Sequence, residues 1–556
     1  MGVGTWVKTA IFYPDEFRAI FAYTIWRDPV HDFKRNPAES GYDRERMRQC
    51  WQFLDMTSRS FAAVIKELKG ELCRVICIFY LVLRALDTVE DDMTLPPKKK
   101  IPLLIDFHKK LYEPGWTFSE SGPNEKDRQL LVQFDKVIDE YQLLSEGCKA
   151  VISDICARMG AGMASYIELG DSPVGLTMQS WTDYDLYCHF VAGLVGEGLS
   201  GLFAQTGIES PMVAAQLSLS NHMGLFLQKT NIIRDYAEDV NESRSFWPKE
   251  CWGANGIFKH ENEVQLGVVE TKKGSGKYKW ADTPEGKEAR VIMSTILLDA
   301  LSHAVHVLEY MLLLHDQSVF NFCATPQVMA IATLELMLDN PDVLKKNVKI
   351  RKSLAVSLIL RAVNPRDVAY TFVEYARFMH KKIRADDPNY VRWCVELGRI
   401  EAWAEGKFPS YVRTSKKQDI FDVRVAMYEK WAASRAEKVE HYQVENSLRR
   451  KLEIANPAAT RSETKMIMLI TFGVTIFMMF FLVIFGVLSW FVFWYTFAEG
   501  TDPLTLFVRA LWKVASETLK THRFNTGFWD QWGTLKYVFN EAGDIVSYQM
   551  QNRVSS

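Results

Sequence analysis

The chain reads as all-α, and three observations predict that class. Apolar residues recur at helical spacing in runs of about 12 to 25 residues from 40 to 395, sustained period-two alternation is scarce, and the connectors are short. Breaks fall at Leu95-Pro-Pro-Lys-Lys-Lys100, Pro114-Gly115, Gly122-Pro123, Gly170-Asp-Ser-Pro173 and Ser210-Pro211, where Pro and Gly interrupt helices. At 556 residues and 48% apolar, the chain can bury a large core.

In chain order, the opening MGVGTWVKTAIFYPDEF lacks a basic region followed by a sustained apolar stretch, so it is not a signal peptide. Gly2 invites a myristoylation reading, but position 6 is Trp rather than Ser or Thr. Ser58-Arg59-Ser60-Phe61 offers two hydroxyls and a guanidinium in a loop or helix start. Residues 73 to 86 (CRVICIFYLVLRAL) are mostly apolar and lead into Asp87-Thr-Val-Glu90-Asp91-Asp92. Tyr187 precedes the small-residue run Val191 to Gly196, which would let two helices approach closely or leave room for a chain. Residues 217 to 233 (LSLSNHMGLFLQKTNII) repeat the apolar pattern before Asp235-Tyr-Ala-Glu238-Asp239. A polar, Gly-rich stretch from about 258 to 287 reads as an exposed insertion, and residues 396 to 465 as a charged, partly helical linker around 420 to 452.

Met466 to Ala498 carries no charge and is rich in Phe, Ile, Leu and Val, enough for one membrane span with length to spare. Arg449, Arg450, Lys451, Arg461 and Lys465 precede it while Glu499 and Asp502 follow, so the N-terminal side should face the cytosol. Arg509, Lys513 and Lys520 weaken that asymmetry. In the tail from 499 to 556, Leu504 to Leu519 is amphipathic, as an interfacial helix or a docking surface would be.

The two acidic clusters look like one device used twice. At about 100° per residue, Asp87, Glu90 and Asp91 share one helix face, and Asn231, Asp235 and Asp239 share another. Carboxylates at these spacings repel unless a cation neutralises them. Hard oxygen ligands without paired His or Cys favour Mg²⁺ over zinc, and Mg²⁺ completes its octahedron with water and phosphate oxygens. Two faces therefore suggest two diphosphates. An acidic helix face is usually solvated surface, but here the flanks are apolar nearly all round, which places the carboxylates at the end of a buried helix beside a cavity. Tyr80 and Arg84 lie one and two turns before the first cluster on nearly the same face, and Gln228, Asn231 and Arg234 join the second. A net charge of −2 gives no pull toward nucleic acid. Nine scattered cysteines without C-x-x-C pairs argue against a disulfide framework or a zinc site.

Seven strings carry a family resemblance: SRSF (58 to 61), YLVLRALDTVEDD (80 to 92), YCHFVAGLVGEGLS (187 to 200), QKTNIIRDYAED (228 to 239), FWP (246 to 248), SVFNFCATPQVMAIATL (318 to 334) and VKIRK (348 to 352). In order, and over roughly residues 40 to 380, they resemble the squalene synthases, the farnesyl-diphosphate farnesyltransferases. The resemblance implies a single helical domain of the isoprenoid synthase type around a central cavity, spanning 1 to 395. It implies Mg²⁺-dependent head-to-head joining of two farnesyl diphosphates to presqualene diphosphate, then NADPH-dependent reduction to squalene. An endoplasmic reticulum membrane, crossed once, is the implied location.

Residue by residue, the resemblance implies that Asp87, Glu90 and Asp91 bind Mg²⁺ and one diphosphate, and that Asp235 and Asp239 do so for the other. Tyr187 would be the base of the first half-reaction. Arg59, Arg84, Arg234, Lys349 and Arg351 would contact NADPH phosphates or a substrate diphosphate. Ser58, Ser60, Phe61, Tyr80, Gln228 and Asn231 would contact substrate, and Phe322 and Gln327 would line the pocket of the second half-reaction. Phe53, Leu54, Met223, Phe226, Leu227 and Phe322 are candidate apolar walls, although core packing explains most of them. No G-x-G-x-x-G follows a strand-like run, so a reductant would rely on basic side chains such as Lys349-Ile-Arg351-Lys352. The insertion near 258 to 287 and the long tail depart from the family pattern. The rival readings are a phytoene-type synthase that uses no reductant and a catalytically silent, membrane-tethered scaffold.

Overall fold

A computed structural model describes residues 3–27, 29–170, 178–242 and 244–409, with short stretches at 480, 484–490, 535–539 and 545–550. Two compact units divide at Pro457 and Ala458. In the second unit, residues 484–490 of the expected membrane span are helical, and Leu535–Phe539 pairs antiparallel with Ile545–Met550, a hairpin the sequence reading did not foresee. Apart from Phe480, the rest of 466–498, the helix expected around 420 to 452 and the amphipathic segment 504 to 519 lie outside the described residues.

The first unit is built from helices, as periodicity predicts. The first acidic cluster ends the helix Leu72–Asp91, on which Glu45–Thr57, Pro97–Lys110, Glu146–Gly170 and Leu194–Gln205 pack. Being enclosed, this helix can be apolar on nearly every side. The second cluster ends Leu217–Asn241, packed by Leu194–Gln205, Pro284–Leu301, Ala304–Met311 and Gln317–Met337. Close approach is enforced at two glycines. A Cβ on Gly196 would lie 2.3 Å from the Ser220 carbonyl oxygen, and one on Gly224 would lie 2.3 Å from that of Ala192. The small-residue run therefore serves helix contact.

Three long apolar segments, Trp181–Gln205, Pro284–Met311 and Gln317–Met337, would suffice to cross a membrane by length and composition, yet here they build the core of this body. A buried ammonium fixes two of them to the second acidic helix. Lys229 Nζ meets Asp185 at 2.5 Å and Asp299 at 2.7 Å, above the Tyr184 ring, with its side chain 1% exposed. All nine cysteines are free, as their spacing suggested.

Two boundaries differ from expectation. The helix Tyr390–Lys407 runs through residue 395 because Trp393, Leu397, Ile400 and Ala404 are buried along one face, so the helical body continues to at least Lys407. The insertion is exposed at its tip, residues 271–277, and at scattered positions elsewhere such as Lys259, His260, Leu266 and Lys279, but it is not exposed throughout. Its start is buried, with Phe258, Glu261 and Val264 inside, because Glu261 accepts hydrogen bonds from Ser245 and the Trp247 amide while its carbonyl takes the Tyr236 hydroxyl. A short hairpin, Val268–Glu270 with Tyr278–Trp280, follows.

Candidate active site

Both acidic clusters sit in the last turns of their helices, where the macrodipole is already negative. The two helix ends line one chamber of about 250 Å³, together with Tyr187, Gln228, Asn231, Arg244 and Phe246. Among the described residues, seven carboxylates reach it, Asp87, Glu90, Asp91, Asp235, Glu238, Asp239 and Glu242, against a single basic lining residue, Arg244. A second chamber of about 680 Å³ is lined by Ser58, Phe61, Arg84, Leu227, Arg234, Asn321, Phe322, Thr325, Pro326, Met329 and Lys349 among others. Asn231 lines both and marks their junction.

The electrostatics follow from this crowding. Burial, with Asp91 and Asp127 nearby, pushes Asp87 up to about 7 against the opposing pull of Arg84. Its side chain is a third exposed and lines the chamber. Burial and then Asp91 and Asp87 push Glu90 up to about 8. Burial raises Asp239 to about 6, although Arg244 opposes the shift. Metal-free, the chamber therefore holds protons at neutral pH.

The fold supplies cations where it can. Arg244 spans the two faces, with Nη1 3.1 Å from Asp91 and Nη2 2.8 Å from Asp239 and 2.9 Å from Glu242. Arg234 holds Asp235 in a fork at 2.8 and 2.6 Å, and Asn347 donates to the same carboxylate at 2.5 Å. Lys100 donates to the Glu90 carbonyl at 2.7 Å, satisfying an end group of the first acidic helix. Arg84 reaches the Tyr80 hydroxyl at 3.0 Å and lies within 4 Å of Asp87 and Asp127.

Tyr187 closes the Trp181–Cys188 helix, where a π-helical turn, His189–Gly193, interrupts the α-helical pattern. Its ring stacks on Phe246 at 5.1 Å and meets Tyr166 edge-on at 5.1 Å. Burial first, then Glu90, pushes its phenol well above the usual tyrosine value, so it stays protonated. Ser58 caps the Arg59–Ile65 helix by accepting the Phe61 amide at 3.3 Å. The side chains of Arg59 and Ser60 lie outside the described residues.

Three expectations about the pocket change. Gln327 is buried and absent from the lining of either chamber, because its Nε2 donates to the Met223 carbonyl at 3.1 Å and ties two core helices together. Phe53, Leu54, Met223 and Phe226 are core residues, while Leu227 and Phe322 do line the larger chamber. Arg351 does not line either chamber; Glu16 holds it.

Arg244 and Phe246 were missed as site residues. Their only sequence signal is position, since the chain must turn back over the second cluster after Asn241, with Phe246 in the FWP string. Tyr23 and Arg27, on the N-terminal arm, line the larger chamber and had no signal.

The donor set fits Mg²⁺. Hard oxygens converge from two helices onto a chamber with excess negative charge. Among the described residues no three His, Cys, Asp or Glu side chains form a compact cage. A phosphorylated reductant also finds matching groups, since Arg84, Lys126, Arg234 and Lys349 surround the larger chamber.

Comparison with known proteins places these features in context. A squalene/phytoene synthase family profile matches residues 54–353. The squalene synthase of Mycosarcoma maydis is 52% identical over 94% of this chain and 97% of its own length. The uncovered remainder is shorter than the tail after residue 498, so that match runs beyond the apolar stretch. The squalene synthase of Schizosaccharomyces pombe is 47% identical over 72% of this chain and 82% of its own. A solved complex of TcSQS with the ligand BPH1237 superposes with a TM-score of 0.59 at 37% identity, covering 65% of this chain and 99% of that one.

Proposed function

Because the chain belongs to the squalene/phytoene synthase family and its squalene synthase relatives match most of its length, we propose that its paired chambers join two farnesyl diphosphates and reduce the product to squalene. One observation carries the reading. A chamber lined by seven carboxylates from two helix ends adjoins a larger chamber walled by Leu227, Phe322, Pro326 and Met329. The first suits metal-bound diphosphates and the second suits prenyl chains.

Asp87, Glu90 and Asp91 hold one diphosphate and Asp235 and Asp239 the other, with Mg²⁺ when bound neutralising the phosphate charge. Arg84 and Arg234 flank the two faces and orient phosphate oxygens, and Asn231 does so at the junction. Ionisation of one substrate releases diphosphate and leaves an allylic cation, which the double bond of the second substrate attacks. Tyr187, protonated at rest, acts as a relay: its hydroxyl oxygen takes the proton lost when the cyclopropane closes as its own proton passes to the released diphosphate, so that the phenol is restored without a free phenolate. Phe246, Tyr166 and the apolar walls exclude the water that would quench a cation. For the second half-reaction, NADPH when bound would supply the hydride, with Lys349, and Arg351 once free of Glu16, as phosphate contacts and Phe322 against the prenyl chain.

Residues 466–498 anchor the enzyme, crossing the endoplasmic reticulum membrane once with the helical body in the cytosol. A protein cut before about residue 456 should be soluble and active, and loss of activity would make the segment more than a tether.

The purified enzyme with Mg²⁺ and farnesyl diphosphate should accumulate presqualene diphosphate without NADPH and form squalene with it. Release of a phytoene-like hydrocarbon without reductant would overturn the assignment.

A further inference from the structure

The N-terminal arm, helices Val3–Phe12 and Pro14–Phe21 with the turn Ala22–Trp26, is not a loose leader. Its second helix packs on Lys352–Arg361, the helix that begins just after the VKIRK string's Arg351. Glu16, nine-tenths buried, places both carboxylate oxygens on that helix's start. Oε1 accepts from Arg351 Nη2, and Oε2 accepts from Arg351 Nε at 3.2 Å and from the Ser353 hydroxyl at 2.6 Å. The Tyr13 ring lies 3.9 Å from the same guanidinium. Farther along, Arg27 forks onto Glu67 over the Tyr23 ring, and Tyr23, Arg27 and Glu67 line the larger chamber.

A forked guanidinium beside a hydroxyl at a helix N-terminus is the arrangement that receives a phosphate. In this chain a carboxylate of the arm occupies it. We propose that Glu16 is an intramolecular competitor of the reductant's phosphate, so that the arm must release Arg351 and Ser353 before a phosphorylated nucleotide can take them. The inference rests on the assignment of Arg351 as a phosphate contact. Latching lowers apparent nucleotide affinity by the fraction of molecules in which the arm is released. It leaves the two acidic faces untouched, and the Arg27–Glu67 pair keeps the chamber-lining end of the arm in place for the first half-reaction.

The test uses the full chain in detergent and adenosine 2′,5′-bisphosphate as probe, by calorimetry. Glu16→Gln should tighten binding about tenfold, the effect expected if the arm is released about a tenth of the time. Arg351→Gln should weaken it. Glu16→Gln should also lower the KM for NADPH without changing the rate of presqualene diphosphate formation. In the unmodified protein, the probe should speed tryptic cleavage after Arg18.

Unchanged binding in Glu16→Gln, with Arg351→Gln still weakened, overturns the competition and leaves the phosphate contact standing. Unchanged binding in Arg351→Gln overturns both. Weaker binding in Glu16→Gln shows that the arm completes the site, which also overturns the proposal. If Glu16→Gln does not fold, proteolysis of the unmodified protein decides, and protection of the arm by the probe refutes competition.

Discussion

Replacing Arg244 by Gln removes the one basic side chain that lines the acidic chamber among the described residues, at a cost that follows from its three ion pairs. Asp91 and Glu242 are 48% and 62% exposed, so their pairs with Arg244 are screened to about 0–1 kcal/mol each. Asp239 is 10% exposed, and a fully buried carboxylate that loses its partner costs about 3–5 kcal/mol. Arg244 is itself a third exposed, and Asp239 can take up a proton instead, so a net loss of about 2 kcal/mol is expected. For a body of this size that is a fall in Tm of roughly 2–3 °C. The assay is thermal unfolding in chelator and then in Mg²⁺. Mg²⁺ should stabilise the variant more than the parent, because the ion no longer competes with a guanidinium for the same oxygens. If the two proteins melt together in both conditions, Arg244 does not neutralise the acidic faces and the argument fails.

The raised acids give a pH dependence with a defined sign. Asp87, Glu90 and Asp239 titrate at about 7, 8 and 6 when folded, against 3.8 for Asp and 4.5 for Glu unperturbed, so the native metal-free protein holds more protons than the unfolded chain between about pH 4 and 8. Its stability should therefore fall as pH rises through that window, while Mg²⁺ affinity rises by about tenfold or more from pH 6 to 8 as protons are displaced. Melting curves and Mn²⁺ titrations across pH check both slopes, and a flat metal affinity would contradict the raised values. Lys229→Met strands Asp299 and should destabilise the body by about 3 kcal/mol; an unchanged melting temperature would show that the ammonium is not needed there. Asp239→Asn should abolish turnover with an unchanged circular dichroism spectrum, and retained activity would remove Asp239 from the mechanism.

What the sequence revealed, and what it hid, divides along the range of the interactions. The two acidic faces were legible because ligand spacing on one helix is local, and the apolar flanks indicated that both ends are enclosed. Asn231 could be placed on the second face by the same periodicity, but not at the junction of two chambers, which depends on how Gln317–Met337 packs. Gln327 and Phe322 sit five residues apart on that helix, yet one ties helices together and the other lines the chamber. The extension of the body beyond 395 was obscured because the charged face of Tyr390–Lys407 resembles a linker, while its buried face carries only Trp393, Leu397, Ile400 and Ala404. Glu16 and Arg351 are separated by 335 positions, and no pattern on either side announces the pair.

Placing carboxylates at helix C-termini is unfavourable on three counts: the dipole is already negative there, like charges meet at one turn's spacing, and burial penalises their ionised forms. The chain offsets each without abolishing it. Arg84 stands one turn before Asp87, Arg234 stands next to Asp235, and Arg244 is shared between the two ends. None of these returns Asp87, Glu90 or Asp239 to ordinary carboxylate acidity, so the metal-free chamber keeps protons that arriving cations displace. A chamber fully neutralised by its own arginines would be more stable and would bind metal diphosphates less well. The incomplete pairing of these carboxylates is thus the functional feature, and Lys229, paired with Asp185 and Asp299, ties the second acidic helix to two of its neighbours.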